Sequence, residues 1–140
     1  MTRSFSLAGL LRVRAIQERA AAQELSRAVI DANQTRARDR HLRAALAATE
    51  SDAVDVRSLA AMAAARVAGR SMLADLQTLA AQQQQRVDEA KSHHDGTRRE
   101  VRGLDRLATA HEMRMRAEEL RAEQIELDEI ALRRGEEQSS

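Results

Sequence analysis

The sequence predicts an all-α protein, a long antiparallel two-helix coiled-coil hairpin with a projecting C-terminal helix. Its 140 residues contain no proline and a single aromatic residue, Phe5, although 43% are apolar and 32% are charged. Proline ends helices, and large aromatic side chains usually anchor compact cores. Alanine, leucine, glutamate and arginine are frequent instead, and these residues favour long uninterrupted helices.

The first element is a helix predicted over residues 4–48. Alternating steps of three and four residues from Ser4 keep meeting apolar side chains, which is the pattern of a coiled-coil seam. The large apolar residues of this seam are Leu7, Leu11, Leu25, Leu42 and Leu46.

Residues 49–55 break the pattern and are predicted to reverse the chain. Thr49, Ser51, Asp52 and Asp55 compete for local backbone hydrogen bonds and are suited to capping a following helix. The segment has no glycine, so the sequence leaves the conformation of this turn open.

A second helix is predicted over residues 56–134, followed by a disordered polar tail at residues 135–140, all within a single coiled-coil domain. The three-four step continues through its later half. Its large apolar seam residues are Val87, Val101, Met115, Ile125 and Leu132.

Gly96 is a position at which the second helix could end. It is a plausible C-cap, and Thr97 with Glu100 has the spacing of a capping box for a new helix. A three-helix bundle broken near Gly96 is therefore the alternative to a hairpin kinked there. The hairpin is favoured because the seam stays in phase and one interior glycine costs only about 1 kcal/mol.

The two predicted helices have unequal lengths, and the unpaired part of the longer one points to a partner site. A reversal near residue 52 pairs the start of the chain with the region around residue 100. Residues from about 100 to 134 would then project while still carrying an apolar stripe. An exposed stripe of that kind marks a surface for a partner.

Composition argues against enzymes, cofactors, metals and nucleic acid. Cysteine is absent, no glycine-rich phosphate loop occurs, and the four histidines lack chelating spacing. The net charge of +1 provides no general basic excess, and the basic cluster at residues 35–43 fits the outer face of a coiled coil. No apolar run is long enough to insert into a membrane.

An arginine stripe is the sharpest charge feature. Arg98, Arg102 and Arg106 are four residues apart and so share one helical face. From Glu118 onward the chain becomes predominantly acidic. This arrangement suits a helix that docks on complementary charged rings, and a salt-bridged solvated surface is the alternative interpretation.

Groups of residues at both ends of the chain carry a family resemblance. At the N-terminus they are Phe5, Leu7, Leu10-Leu11, Val13-Arg14, Glu18, Ala21 and Leu25. At the C-terminus they are Val101-Arg102, Leu104-Asp105-Arg106-Leu107 and Glu126-Leu127-Asp128-Glu129-Ile130-Ala131. Together these groups resemble the FliJ family of flagellar type III export components, and the last block, close to the end of the chain, is the strongest single element.

The resemblance implies a non-enzymatic, cytoplasmic coiled coil, peripherally associated with the inner membrane at the flagellar base. It implies three partners: the hexameric flagellar export ATPase, the export gate membrane protein and export chaperones. The residues assigned to the ATPase-facing part, by the arginine stripe and this resemblance, are Arg98, Arg102, Leu104, Asp105, Arg106, Leu107, Leu127, Asp128 and Ile130.

One departure from the family concerns the gate contact. The family often carries an aromatic residue early in the second helix, whereas this chain has none between Leu59 and Leu79. The gate residues therefore stay unassigned. The alternative function is an unrelated cytoplasmic coiled-coil scaffold that acts by self-association.

Overall fold

The chain forms two long helices in the computed structural model. The structure describes residues 2–49 and 55–139, with side chains described from residue 6 onward. Helix α1 is Thr2–Ala48 and helix α2 is Val56–Ser139. No strand occurs in either described range, and the two helices pack against each other. The predicted all-α, hairpin-like fold is confirmed.

Helix α2 runs without interruption through Gly96 and Gly135. Gly96 lies inside the helix, so the chain does not form the three-helix alternative. Gly135 is also helical, and α2 extends to Ser139, beyond the predicted end at residue 134. Neither glycine adopts a positive φ. The good helix formers that precede Gly135 outweigh the cost of about 1 kcal/mol for one glycine.

The described ends of the turn show how α1 stops and α2 starts. The hydroxyl of Thr49 donates a 2.7 Å hydrogen bond to the carbonyl oxygen of Leu46. Asp55 caps α2, because its carboxylate accepts a 2.7 Å hydrogen bond from the amide of Ser58. Hydrogen bonds from the Ser58 hydroxyl and amide lower the pKa of Asp55 from 3.8. The predicted turn residues 50–54 lie outside the described part of the chain.

Contacts divide the chain into two compact units, of which the larger is Gln17–Thr97. Within it, the two helices run antiparallel. Leu46 lies against Gly69, and the guanidinium of Arg36 donates a 2.6 Å hydrogen bond to the side-chain oxygen of Gln84. Gly69 lies well inside α2, which begins at Val56, so α2 starts beyond the level at which α1 ends.

The predicted seam forms the interface of this unit. Ala21, Ala32 and Thr35 are almost completely buried on α1, and Thr97 is buried on α2. The large apolar residues of the predicted seam in this unit are partly buried, because two packed helices cover only one side of each side chain. These residues are Leu25, Leu42, Leu46 and Val87.

The other unit comprises described residues 2–16 and 98–139. Here too the helices are antiparallel, since Leu7 and Leu11 share a groove with Ala108, Thr109, His111 and Glu112 of α2, whereas Arg14, later on α1, meets Glu100, earlier on α2. An ion pair of 3.0 Å joins Arg14 to Glu100 at the surface. The seam continues on α2 through four partly buried side chains, at Val101, Leu104, Ala108 and His111.

Candidate partner-binding surface

The last part of α2 is an uncovered helix. Every residue from 112 to 139 is exposed, although the helix is continuous to Ser139. Residues 112–139 are called the C-terminal arm below. In proteins, most of the stability of a helix comes from packing of its apolar face against other elements. The C-terminal arm has no such packing among the described residues.

The arm starts later than the sequence analysis predicted. The projecting stripe was expected from about residue 100, but residues 101–111 carry partly buried seam positions against the start of α1. The prediction assumed a tight reversal that would place residue 4 opposite residue 100. Instead, Leu7 and Leu11 lie beside residues 105–112, so α1 covers α2 as far as His111.

One face of the arm continues the seam of the preceding helix pair, and we call it the seam stripe. Its apolar members are large and exposed: Met115 is 46% exposed, Ile125 62% and Leu132 68%. Glu118 and Glu129 interrupt it. The six positions of the seam stripe are Met115, Glu118, Ala122, Ile125, Glu129 and Leu132.

A second face of the arm, turned away from the seam stripe, is free of charge, and we call it the outer stripe. Leu120 and Leu127 are 65% and 61% exposed. Its six positions are Met113, Ala117, Leu120, Gln124, Leu127 and Ala131. The seam pattern that continues from α1 does not include this stripe, because the stripe lies in a different phase of the helix. The same three-four step begun at Met113 finds it.

The predicted arginine stripe lies on the helix just before the arm. Arg102 and Arg106 are exposed, and their positions place them on the side of α2 opposite the half-buried Leu104. Arg98 is exposed as well and has an interaction partner. Cationic side chains therefore precede an arm in which acidic residues predominate.

The residues assigned to the ATPase-facing part fall into two groups. Leu104 belongs to the covered seam, and Asp105 lines the groove beside Leu7 and Leu11. The others present their side chains to solvent, and Leu107 is 56% exposed. The exposed members of the set on the arm are Leu127, Asp128 and Ile130.

Metal-binding clusters and membrane-spanning helices are both absent from the described residues. No group of histidine, cysteine, aspartate or glutamate among them is arranged to hold a metal ion. The grooves are open furrows along the helices, such as the one bounded by Glu24, Arg27, Arg86 and His93. Within the same residues, no helix is long and apolar enough to cross a membrane.

Comparison with known proteins supplies a family. The model of the flagellar FliJ protein family matches residues 3–140, which is nearly the whole chain. No curated protein and no solved structure matches the chain. The match covers both helices and the whole C-terminal arm.

Proposed function

This chain belongs to the FliJ family of flagellar proteins, and we propose that it is a stalk and adaptor of the flagellar type III export apparatus. In this proposal the C-terminal arm inserts into the ring of the hexameric export ATPase. The chain also couples that ring to the export gate membrane protein and escorts export chaperones.

Membership of the family makes the chain a component of flagellar export. The family is non-enzymatic, and the role we propose needs no chemistry from this chain. The family match also removes the alternative of an unrelated scaffold protein. Self-association is a separate question, because a family member can also pair with itself.

The observation that carries the proposal is the exposure of the arm. A continuous helix with apolar side chains such as Ile125 and Leu132 more than half exposed is costly to leave in water. Large exposed apolar surfaces are characteristic of sites that bind other proteins. A ring pore suits this helix because it offers contacts on several faces at once, and both stripes of the arm would then be covered.

Charge would orient the arm in the ring. Arg102 and Arg106 precede the arm, while Glu118, Glu119 and Glu123 lie along its first half. Complementary rings of charge on the ATPase would favour one depth of insertion and speed encounter. Within the set assigned from the sequence, Leu104 would act by holding the helix pair together rather than by touching the ring.

An effect on ATP hydrolysis would arise from differential binding. A helix without chemistry of its own changes the rate only if it binds some conformations of the ring more tightly than others. A tenfold preference for the active arrangement corresponds to about 1.4 kcal/mol. A few side chains of the arm are sufficient for a difference of that size.

The gate and the chaperones would bind elsewhere on the molecule. By family resemblance the gate contact belongs to the early part of α2, where Val67 and Met72 are 68% and 57% exposed. Charge substitutions at these two positions should weaken binding to the soluble part of the gate protein while leaving ATPase binding unchanged. We place the protein in the cytoplasm, at the periphery of the inner membrane below the flagellum.

The test is an ATPase assay and hexamer sizing of the cognate export ATPase with the full chain and with a chain ending at residue 111. The full chain should change the ATPase rate or the hexamer yield, and the truncated chain should do neither. The truncated chain keeps the packed part of both helices, so circular dichroism must show that it stays helical. An unchanged effect after truncation would place the ATPase contact outside the arm.

A further inference from the structure

The outer stripe of the arm has the pattern of a coiled-coil core. Apolar or uncharged residues recur at alternating steps of four and three from Met113 to Ala131. In heptad notation, Ala117, Gln124 and Ala131 occupy a positions, and Met113, Leu120 and Leu127 occupy d positions. No described residue of the same chain covers them, since every side chain from 112 to 139 is exposed.

The charges beside this core oppose a parallel pair of arms. In a parallel coiled coil each g residue faces the e residue five positions later on the partner. Here that places Arg116 against Arg121, and Glu123 against Asp128. Both contacts join like charges, and each occurs twice in a symmetric dimer.

An antiparallel pair of arms has one register in which residues of opposite charge face each other. Antiparallel coils bring g residues against g residues and e residues against e residues. When residue 112 of one copy faces residue 139 of the other, Arg116 meets Glu137 and Arg121 meets Asp128. By symmetry these two contacts give four ion pairs, and no like charges face each other across the core.

The neighbouring registers are worse. A shift by one heptad in one direction places Arg121 against Arg121 and Glu123 against Glu123 of the two copies, and only Arg114 then meets an opposite charge, on Asp128. A shift in the other direction places Glu123 against Glu137 and Asp128 against Asp128. Charge pairing therefore selects a single antiparallel register.

The side chains that face each other in the core of that register are also compatible in size. Leu120 of one copy opposes Ala131 of the other, and Leu127 opposes Gln124, so each of these large side chains faces a smaller or polar one. Arg134, the next d position, opposes Ala117 near the end of the pairing, where its guanidinium reaches solvent. Alternation of large and small residues lets two helices approach closely without overpacking.

The same register matches the length of the uncovered helix. It pairs residues 112–139 of one copy with 139–112 of the other, end to end. The pairing stops where α1 begins to cover α2, at His111, so neither copy has to give up packing between its own helices. The exposure of the helix and the pattern of its charges thus define the same segment independently.

We propose that two copies of this chain form a reversible antiparallel dimer through the outer stripes of their arms. The dimer would keep Met113, Leu120 and Leu127 out of water when no other partner is bound. The seam stripe lies on the other side of the arm and stays accessible in the dimer. This inference does not depend on the proposed role in the export ATPase.

Charge reversal with mixing tests the dimer directly. The full chain should sediment as a concentration-dependent dimer in analytical ultracentrifugation at low salt. Arg121→Asp places two aspartates together and Asp128→Arg places two arginines together, so each variant alone should dimerise at least tenfold more weakly. A mixture of the two restores opposite charges at both contacts and should recover the heterodimer.

Arg133→Asp is the matched control, because it makes the same charge change at a c position away from the outer stripe. It should leave the dimer unchanged, and circular dichroism should show equal helicity for all four proteins. The proposal is overturned if the full chain is monomeric at every concentration, if the single reversals dimerise as well as the unaltered chain, or if mixing restores nothing.

Spin labels report the orientation independently of affinity. The chain has no cysteine, so Met113→Cys supplies a single attachment site. In the antiparallel register, residue 113 of one copy faces residue 138 of the other. The second label, on residue 113 of that other copy, lies 138 − 113 = 25 residues away along the helix, so the two labels should be about 37 Å apart at 1.5 Å per residue. Labels in close proximity would mean a parallel dimer and would contradict the assigned register.

Discussion

At the scale of single residues, Gly69 sets how closely the helices of the larger unit approach. A Cβ at this position would lie 3.0 Å from Cδ1 of Leu46 and closer still to its Cδ2. Gly96, in the same unit, has no described atom within 4 Å of a Cβ. The two glycines therefore differ in packing although both lie inside α2.

Alanine substitution should separate these two cases. Gly96→Ala is expected to raise the free energy of unfolding by about 1 kcal/mol through helix propensity. Gly69→Ala gains the same propensity but must displace Leu46, and overpacking typically costs about 1–3 kcal/mol. Thermal melts of both variants should show the Gly69 variant clearly less stable than the Gly96 variant. Equal melting temperatures would mean that Leu46 moves aside without cost.

Gln83 is a polar residue whose side chain is poorly satisfied in the seam. Its Oε1 is buried and has no hydrogen-bond partner among the described residues. Gln83→Leu should therefore raise the free energy of unfolding by about 1 kcal/mol, because it removes an unsatisfied acceptor and adds apolar surface. Gln82→Leu, at an exposed position, is the control and should change stability little. A destabilised Gln83→Leu protein would show that the amide has a partner in solution.

At the scale of the helices, Asp55 connects the stability of α2 to pH. Because hydrogen bonding from Ser58 lowers its pKa below 3.8, the ionised carboxylate favours the folded state. Its contribution is complete above the pKa of the unfolded chain and disappears as the pH falls through the lower pKa of the folded chain. Melting curves of the unaltered protein and of Asp55→Asn should differ at neutral pH and converge under strong acid. A constant difference across that range would exclude titration of Asp55 as the cause.

The periodicity of the sequence follows the face of each helix that is buried within the packed units. Positions of the predicted seam from Leu7 to Leu46, and from Val87 to His111, are partly or fully buried wherever side chains are described. The reason is local, since a three-four repeat determines which face of a helix is apolar whatever that face meets. Met115, Ile125 and Leu132 share the repeat but are exposed, because burial also requires a partner.

The register between the helices was not predictable in the same way. It depends on where α2 begins relative to the end of α1, and the capping residues of a turn without glycine left that open. The contact between Leu46 and Gly69 shows an offset that a tight reversal would not produce. For the same reason the arm begins at residue 112 instead of near residue 100.

At the scale of the whole molecule, each compact unit contains packed segments of α1 and α2, and the unit with residues 98–139 also contains the uncovered C-terminal arm. The resemblance at both ends predicted the family, and the family model confirms it over residues 3–140. The roles of individual residues stay predictions, since exposure identifies a surface without identifying its partner. Charge patterns such as the arginine stripe suit both a solvated surface and a docking helix, so sequence alone does not choose between them.

We propose that the C-terminal arm is the surface that binds the export ATPase. Hydrogen–deuterium exchange of the full chain, with and without the cognate ATPase and at one fixed dilute concentration, is the experiment that decides this. Added ATPase should slow exchange in residues 112–139, where backbone amides lie in an uncovered helix. Protection confined to residues 17–97, or no protection at an ATPase concentration that binds the chain, would mean that the arm does not bind the ATPase.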